Sequence, residues 1–173
     1  MRELLTASDA LAGLSRIATE IQKGPGDEVL LVGIRRGGVP LAEHLARLLT
    51  ANGRRALVGS LDITLYRDDA ATALPSPRIG PTELPLLDVG GRRVVLVDDV
   101  LYTGRTVRAA LDVLLDYGRP SAVELAVLVD RGGRELPIQP TYAVLTELVA
   151  ERERVDVLEQ GGSWRAVAED IQK

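Results

Sequence analysis

The sequence predicts an α/β protein with a mainly parallel, twisted sheet flanked by helices. Short apolar runs rich in valine, leucine and isoleucine alternate along the chain with segments whose apolar residues recur at helical spacing. Strands that alternate with helices in this way pair in parallel and are covered on both faces. With 173 residues and 46% hydrophobic content the chain can bury a sizeable core, so we expect a single domain over residues 1–173.

The first third of the chain contains two predicted helices and two predicted strands. The first helix is expected to begin at the capping residue Ser8 and to end near Lys23, because Gly24 and Pro25 follow. The apolar run after it is too short for a buried helix and predicts a strand. The strands are predicted at 29–34 and 56–65, and the second helix at 40–51, after a loop at 35–38.

The stretch at 66–85 contains several prolines and has no clear periodicity. A loop of roughly 20 residues is uncommon in a compact domain unless it is a functional lid or is disordered, so we expect a flexible loop there. The next predicted elements are a strand at 94–97, a loop at 98–104, a helix at 105–117 and a strand at 123–129. Residues 130–173 are expected to form a loop, short strands near 142–148 and 155–158, and a tail around Trp164.

Charge and composition limit the classes of function. The net charge of −4 and the pI of about 5.1 oppose non-specific attraction to nucleic acid, so any such contact needs a local basic cluster. No segment has the layout of a signal peptide, no apolar run reaches the roughly 18 residues of a membrane span, and cysteine is absent. We therefore expect a soluble cytoplasmic protein with no membrane partner.

Three predicted loops follow strands and are rich in glycine, arginine or aspartate, at 35–38, 98–104 and 130–134. In an open parallel sheet, ligands bind beyond the carboxyl ends of the strands, so these loops are expected to line one crevice. The sequence contains neither GxxxxGK[ST] nor a GxGxxG that follows a strand. These absences argue against a P-loop NTPase and against a dinucleotide-binding protein.

The loop at 98–104 carries the clearest chemical signal. Asp98 and Asp99 leave an apolar strand, and the sequence Thr-Gly-Arg-Thr at 103–106 opens the next helix. Backbone N–H groups at such a helix start cradle an anion, the two hydroxyls add donors, and Gly104 permits close approach. The segment therefore predicts a phosphate-binding loop beside a pair of carboxylates.

The string VVLVDDVLYTGRT at 94–106 resembles the signature with which type I phosphoribosyltransferases bind 5-phosphoribosyl-1-pyrophosphate (PRPP). The resemblance implies the fold of that family, with a small hood built from the terminal segments. It also implies that Asp98 and Asp99 lie against the ribose hydroxyls and that 103–106 binds the 5-phosphate. Mg²⁺ is expected to bind through PRPP, with the two acids as candidate ligands.

A narrower resemblance rests on VDDVLYTGRT, LDITLYRDD at 61–69 and VDRGGRELPI at 129–138, and covers most of residues 5–140. These segments are similar to the PyrR family, bacterial regulators of pyrimidine operons that are also uracil phosphoribosyltransferases. Tyr102 and Arg105 favour this group over other branches. The family implies formation of UMP and pyrophosphate from PRPP and uracil, binding of leader RNA, and a homodimer or higher oligomer.

The family resemblance assigns roles to individual residues. Arg67 belongs to the loop that closes over PRPP and, with Asp98 and Asp99, is a candidate catalytic residue. The loop at 35–38 contacts pyrophosphate in the family, often with a non-proline cis peptide bond. The PRPP-binding set implied by the resemblance is Arg35, Arg36, Gly37, Asp98, Asp99, Val100, Leu101, Tyr102, Thr103, Gly104, Arg105 and Thr106.

The uracil-binding residues implied by the resemblance are Val129, Asp130, Arg131 and Arg134, and the RNA-binding candidates are Arg16 and Lys23, with Arg2, Arg54 and Arg55 in addition. The chain departs from the family at Gly37, where a basic residue is usual, and at Gly133, where histidine is common.

Two alternatives stay open: a phosphoribosyltransferase for another base, and an RNA-binding nucleotide sensor with little catalytic activity. The only histidine, His44, is expected to be structural.

Overall fold

The computed structural model describes residues 1–64, 82–85 and 88–171. In chain order the described residues form β1 (Arg2–Leu5), α1 (Ala7–Gln22), β2 (Glu28–Ile34), α2 (Gly38–Ala51), β3 (Arg55–Leu61), β4 (Arg93–Leu101), α3 (Arg105–Leu115), β5 (Ala122–Asp130), β6 (Tyr142–Thr146), β7 (Glu153–Gln160) and β8 (Ser163–Asp170). None of the helices in these ranges has the length and apolar character that crossing a membrane requires.

The larger sheet has five strands in the order β3-β2-β4-β5-β6, and every pairing is parallel. Successive residues of β2 alternate between the two faces, so that Leu31 joins the core under α1 and α2 while Leu30 joins the core under α3. The helices therefore cover both faces of the sheet. The predicted α/β class with a parallel sheet is confirmed.

The second sheet is the hood, which we define as β1, β7 and β8. Its strands are antiparallel in the order β1-β8-β7, so that the two ends of the chain pair with each other. Trp164 lies in β8, is 2% exposed, and meets His44 of α2 edge-to-face with ring centroids 5.2 Å apart. The expectation of a tail around Trp164 is wrong, because this residue lies in a strand of the hood and packs against α2.

Several predicted boundaries differ from the structure, among them the end of the strand predicted at 56–65, which lies at Leu61, and two of the differences have a clear cause. The helix α1 is capped by Thr6, whose hydroxyl accepts a hydrogen bond from the Asp9 backbone at 3.1 Å, whereas Ser8 lies inside the helix. The strand β4 continues past the predicted end at 97, because β5 pairs with it as far as Leu101 and Asp130. Asp98 and Asp99 are therefore strand residues, and only residues 102–104 connect β4 to α3.

Candidate functional site

Three connections meet at the carboxyl edge of the larger sheet, as the sequence predicts. Residues 35–37 join β2 to α2, residues 102–104 join β4 to α3, and a longer segment at 131–141 joins β5 to β6. The first connection lies against Asp99, since a Cβ placed on Gly37 would overlap its carboxylate. The third lies against the second, because Thr103 O accepts hydrogen bonds from the backbone N–H groups of Glu135 and Leu136.

The two acids at the end of β4 are held by backbone hydrogen bonds. Asp98 is 7% exposed, and its Oδ1 accepts from the Asp99 N–H at 2.9 Å. Asp99 is half-buried, and its Oδ1 accepts from the Val100 N–H at 2.8 Å. Each of these bonds uses one carboxylate oxygen, and the other oxygen of Asp99 faces Gly37. The strand end thus presents a fixed carboxylate to the neighbouring loop.

Glycines allow the loop at 35–38 to lie close to β4. A Cβ on Gly38 would overlap the carbonyl oxygen of Val97, which is backbone and cannot turn away. A side chain on Gly37 would require only that the Asp99 carboxylate rotate. The bond between Arg35 and Arg36 is a cis peptide, as the family resemblance implies.

The two arginines of this loop differ in their surroundings. Arg35 donates to the Ser60 hydroxyl at 3.2 Å and lies 3.6 Å from a carboxylate oxygen of Glu83. Arg36 is exposed, and within the described ranges its side chain has no ion-pair partner. Both line a cavity of about 760 Å³ between α2, the end of β3 and residues 83–85. Arg36 is therefore the guanidinium of this loop with open access to an anion.

The connection at 102–104 has the geometry of a phosphate-binding turn. Gly104 adopts a left-handed conformation, with φ of 93°, immediately before the first residue of α3. The Thr103 hydroxyl accepts from the Arg105 N–H at 3.3 Å, while Thr106 is half-buried one residue further on. The Arg105 guanidinium donates to Glu135 with an Nε to Oε2 distance of 2.8 Å.

Arg134 ties the segment after β5 to the loop at 102–104. Its guanidinium donates to Ile138 O at 2.7 Å, to Tyr102 O at 2.9 Å and to the Asp130 carboxylate at 2.8 Å. The other oxygen of Asp130 accepts from the Gly132 N–H at 3.1 Å, which forms a turn. Arg134 thus fixes the shape of the segment for which the sequence predicts uracil contacts.

Arg131 connects the same segment to the hood. It is 4% exposed and donates to the backbone carbonyls of Glu153 at 2.8 Å and Ala150 at 3.1 Å. The carbon of its guanidinium lies 3.9 Å from the centre of the Tyr102 ring. Of the four predicted uracil residues, Val129 is fully buried in β5, so that it can offer a ligand only backbone atoms. Uracil binding by these residues stays a prediction.

The arginine and lysine candidates for RNA contact are engaged within the chain. Arg16 donates to the carbonyl oxygens of Ala143 and Val144, and Lys23 pairs with Glu20. The additional candidates are also paired: Arg2 with Glu147 and Glu153, Arg54 with the carbonyls of residues 22, 24, 25 and 26, and Arg55 with Glu28. Arg67 lies outside the described residues, so its predicted place beside PRPP has no structural account.

The site also contains residues that sequence reasoning did not select. Glu135 contacts Arg105, Leu148 lies over Gly132, and Gly133 lies against the Tyr102 ring. Opposite charges at positions 105 and 135 do not by themselves predict a contact between residues so far apart in the chain. No hydrophobic periodicity links these two segments either. Among the described residues no three acids, histidines or cysteines cluster as a metal site.

The parallel five-stranded sheet, the hood and the acid pair followed by a glycine turn at the start of a helix define the fold and site of a type I phosphoribosyltransferase. Residues 2–160 match the family described as phosphoribosyl transferase domain. The proteins named bifunctional protein PyrR of Pelotomaculum thermopropionicum and Chloroflexus aurantiacus are 53% and 51% identical over 159 residues, which cover 90% of this chain and 87% of each relative. The chain belongs to the PyrR family.

Solved structures agree on the fold. The hypoxanthine phosphoribosyltransferase of Trypanosoma cruzi superposes with a TM-score of 0.71 and 16% identity, covering 96% of this chain and 95% of that one. A hypoxanthine-guanine phosphoribosyltransferase of Bacillus anthracis superposes with a TM-score of 0.69 and 16% identity, over 84% of this chain and 83% of that one. At this identity the likeness bears on the architecture and not on the base.

Proposed function

We propose that this protein is a uracil phosphoribosyltransferase, which forms UMP and pyrophosphate from PRPP and uracil. The observation that carries the proposal is the meeting of three connections at one edge of the sheet, each with the chemistry that one part of the substrates needs. Arginines at 35 and 36 suit pyrophosphate, the acids and the turn at 98–106 suit ribose 5-phosphate, and the segment at 129–134 suits a base. Membership of the PyrR family supports uracil as that base.

The 5-phosphate is proposed to bind at the start of α3. The backbone N–H groups at 103–106 and the Thr103 and Thr106 hydroxyls are donors at a helix N-terminus, where the helix dipole also favours an anion. Arg36 is proposed to donate to pyrophosphate in place of a side chain at 37. Arg67, on the loop that closes in the family, is proposed to stabilise pyrophosphate as it leaves.

Mg²⁺ fits the donors that this site offers. A pair of carboxylates at a strand end is a usual partner for Mg²⁺ that is bound mainly by substrate oxygens, and neighbouring acids beyond a pair are not required. Asp98 and Asp99 are the residues that would hold the ion, directly or through water. When bound, Mg²⁺ neutralises charge on pyrophosphate and makes it a better leaving group.

The chain's own residues contribute positioning and electrostatics to the proposed reaction. Pyrophosphate leaves with the electrons of the C1–O bond, N1 of uracil forms the new bond to C1, and the N1 proton passes to a base or to water. Asp98 and Asp99 face the ribose, where their charge stabilises the positive character that C1 acquires. Asp99 is the candidate for proton transfer, and its hydrogen bond from Val100 holds the carboxylate in one orientation.

The test of the acid pair is the double variant Asp98→Asn, Asp99→Asn. We expect a loss of PRPP-dependent UMP formation of about 100-fold or more, because charge stabilisation at C1 is removed. The measurement is conversion of labelled uracil by purified protein, with a urea unfolding curve to show that the variant is folded. Asp27→Asn, an exposed acid outside the site, is the matched control. Unchanged UMP formation in the double variant would refute the assignment.

The second proposed function is regulation of a pyrimidine operon through leader RNA, with UMP favouring the complex. It rests on the family, whose members named above are called bifunctional. The basic residues with open access, such as Arg36, Arg47 and Arg119, are few in an acidic chain. Binding of a pyrimidine leader transcript in the presence of UMP should weaken as salt is raised. If the leader transcript does not bind even at low salt, the second function is refuted.

The protein is further proposed to act in the cytoplasm as a homodimer or a higher oligomer of identical chains. Both proposals follow from the family resemblance, and closed symmetric assemblies are the usual form of such oligomers. Sedimentation equilibrium of the purified protein measures the mass of the assembly. A single species at the mass of one chain, 18.6 kDa, would exclude an oligomer under those conditions.

A further inference from the structure

Glu135 joins the base segment, residues 130–138, to the predicted phosphate site at the start of α3. Its carboxylate accepts from the Arg105 guanidinium at 2.8 Å, and the two side chains are 53% and 32% exposed. Arg105 is the first residue of α3, beside the N–H groups proposed to hold the 5-phosphate. The contact therefore places a negative charge beside the start of α3, where the 5-phosphate is proposed to bind.

The backbone reinforces this contact. The N–H groups of Glu135 and Leu136 both donate to Thr103 O, at 3.0 and 3.1 Å. Arg134, the preceding residue, donates to Tyr102 O at 2.9 Å and holds the Asp130 carboxylate at 2.8 Å. A displacement of Arg105 is thus transmitted through Glu135 to the segment at 130–138, because the two loops form one hydrogen-bonded unit.

A phosphate and a carboxylate compete for the same guanidinium. Arg105 donates more strongly to a dianion than to a single carboxylate, and the two anions repel each other at short range. Without ligand, Glu135 holds Arg105 in place. A bound phosphate would share the guanidinium, and the Glu135 side chain would then hold Arg105 less strongly.

We propose that Glu135 is a positioning residue that couples occupation of the phosphate site to the shape of the base site. The carboxylate lowers the affinity of the free site for phosphate, and in return it aligns the segment at 130–138 for the base. This inference rests on the proposed function, since it takes the 5-phosphate and the base as the ligands of the two loops.

The test compares ribose 5-phosphate, which fills only the phosphate site, with UMP, which fills both sites. In Glu135→Gln the shape is kept and the charge is removed. We expect ribose 5-phosphate to bind about three- to fivefold more tightly, the range of an exposed ion pair. The factor by which UMP binds better than ribose 5-phosphate should fall about threefold or more, because the base segment loses its alignment. Calorimetric titration measures both dissociation constants.

Two further variants separate charge from shape. Glu135→Asp keeps the carboxylate and is expected to restore the wild-type ratio of the two affinities, while Glu151→Gln removes an exposed acid outside the site and should change the binding of neither ligand. If Glu135→Gln weakens both ligands equally or changes neither, the coupling is overturned. If the wild-type protein binds neither ribose 5-phosphate nor UMP, the proposed function itself fails, which is a different result.

Discussion

At the scale of single residues, the family resemblance and the structure give Arg131 different partners. The family resemblance assigns it to uracil, whereas in the structure its guanidinium donates to hood carbonyls and packs on Tyr102. Arg131 follows β5, and its buried guanidinium donates charge-assisted hydrogen bonds to carbonyl oxygens at and just before β7, so it ties the end of the larger sheet to the hood. We infer that Arg131 acts mainly as an anchor between the hood and the base segment.

This inference predicts the behaviour of Arg131→Met, which keeps the apolar stem and removes the donors. The free energy of unfolding should fall by about 2–4 kcal/mol, because the charge-assisted hydrogen bonds from Arg131 to the Glu153 and Ala150 carbonyls are lost. Urea unfolding measures the change. The control is Arg152→Met, whose pair with Asp170 is fully solvated and should alter stability by less than about 0.5 kcal/mol. Full stability with a raised KM for uracil would assign Arg131 to the base instead.

The placement of single residues can be predicted from the sequence where their contacts are local. The acid pair and the turn at 102–104 lie in one continuous signature, so their neighbours in the chain are also their neighbours in space. The Arg105 contact of Glu135 and the hood contact of Arg131 are not evident in the sequence, because each depends on a partner 22 or more residues away. Neither charge nor periodicity indicates which of many acids or carbonyls such a residue meets.

At the scale of elements, the hood is fixed to α2 by an aromatic pair. His44 and Trp164 are the only histidine and the only tryptophan, and their rings meet edge-to-face. Burial, followed by the nearby Arg47, lowers the pKa of His44 from its usual 6.5. Neutral His44 therefore contributes stability that is present above pH 6.5 and is lost as the pH falls through the lower pKa of the folded state.

This pair predicts a pH-dependent fluorescence signal. Protonated imidazole quenches a neighbouring indole, so the emission of Trp164 should decrease in a single step below pH 6.5, without loss of far-ultraviolet circular dichroism. The step should be absent in His44→Gln, since no other histidine is present. A step that persists in that variant would show that another group near Trp164 titrates.

A second cluster joins three strands at the opposite edge of the larger sheet. Arg93 of β4, 8% exposed, donates to Glu124 of β5 at 2.6 and 2.9 Å, and Tyr142 of β6 donates to the same carboxylate. Burial, together with the neighbouring Glu124, raises the pKa of Tyr142 to about 12. Its contribution to stability is complete below pH 10 and is lost as the pH rises through about 12.

The cluster yields a prediction for Arg93→Met. We expect a loss of about 3–5 kcal/mol in the free energy of unfolding, because Glu124 keeps a largely buried charge that loses its cationic partner and retains only the Tyr142 hydroxyl as donor. Denaturant unfolding at neutral pH measures it. Arg93→Met combined with Glu124→Met should recover part of the loss, since both charges are then absent. A single variant as stable as the wild type would mean that Glu124 is hydrated.

Elements of the main sheet were more predictable than those of the hood. The apolar runs of β2, β4 and β5 are buried on both faces, which makes them evident in the sequence. The strand β1 has four residues and exists because it pairs with β8 at the far end of the chain. Short strands whose partners are so distant leave no local pattern, so the terminal hood was expected only from the family resemblance.

At the scale of the whole molecule, one edge of the sheet carries the proposed chemistry and the other edge carries a structural cluster. The hood spans the chain ends and reaches the base segment through Arg131. The proposed base site therefore combines β5, its following segment and the hood. We expect selectivity for the base to depend on this whole assembly.

The most direct test of the account is an assay of purified protein with PRPP, Mg²⁺ and a panel of bases, in which pyrophosphate release is followed. We predict release with uracil that depends on both PRPP and Mg²⁺, with UMP as the second product. Hypoxanthine and adenine should give at most about 1% of that rate, because a site that hydrogen-bonds one base rejects another by 100-fold or more. Product from hypoxanthine and none from uracil would contradict the proposed specificity.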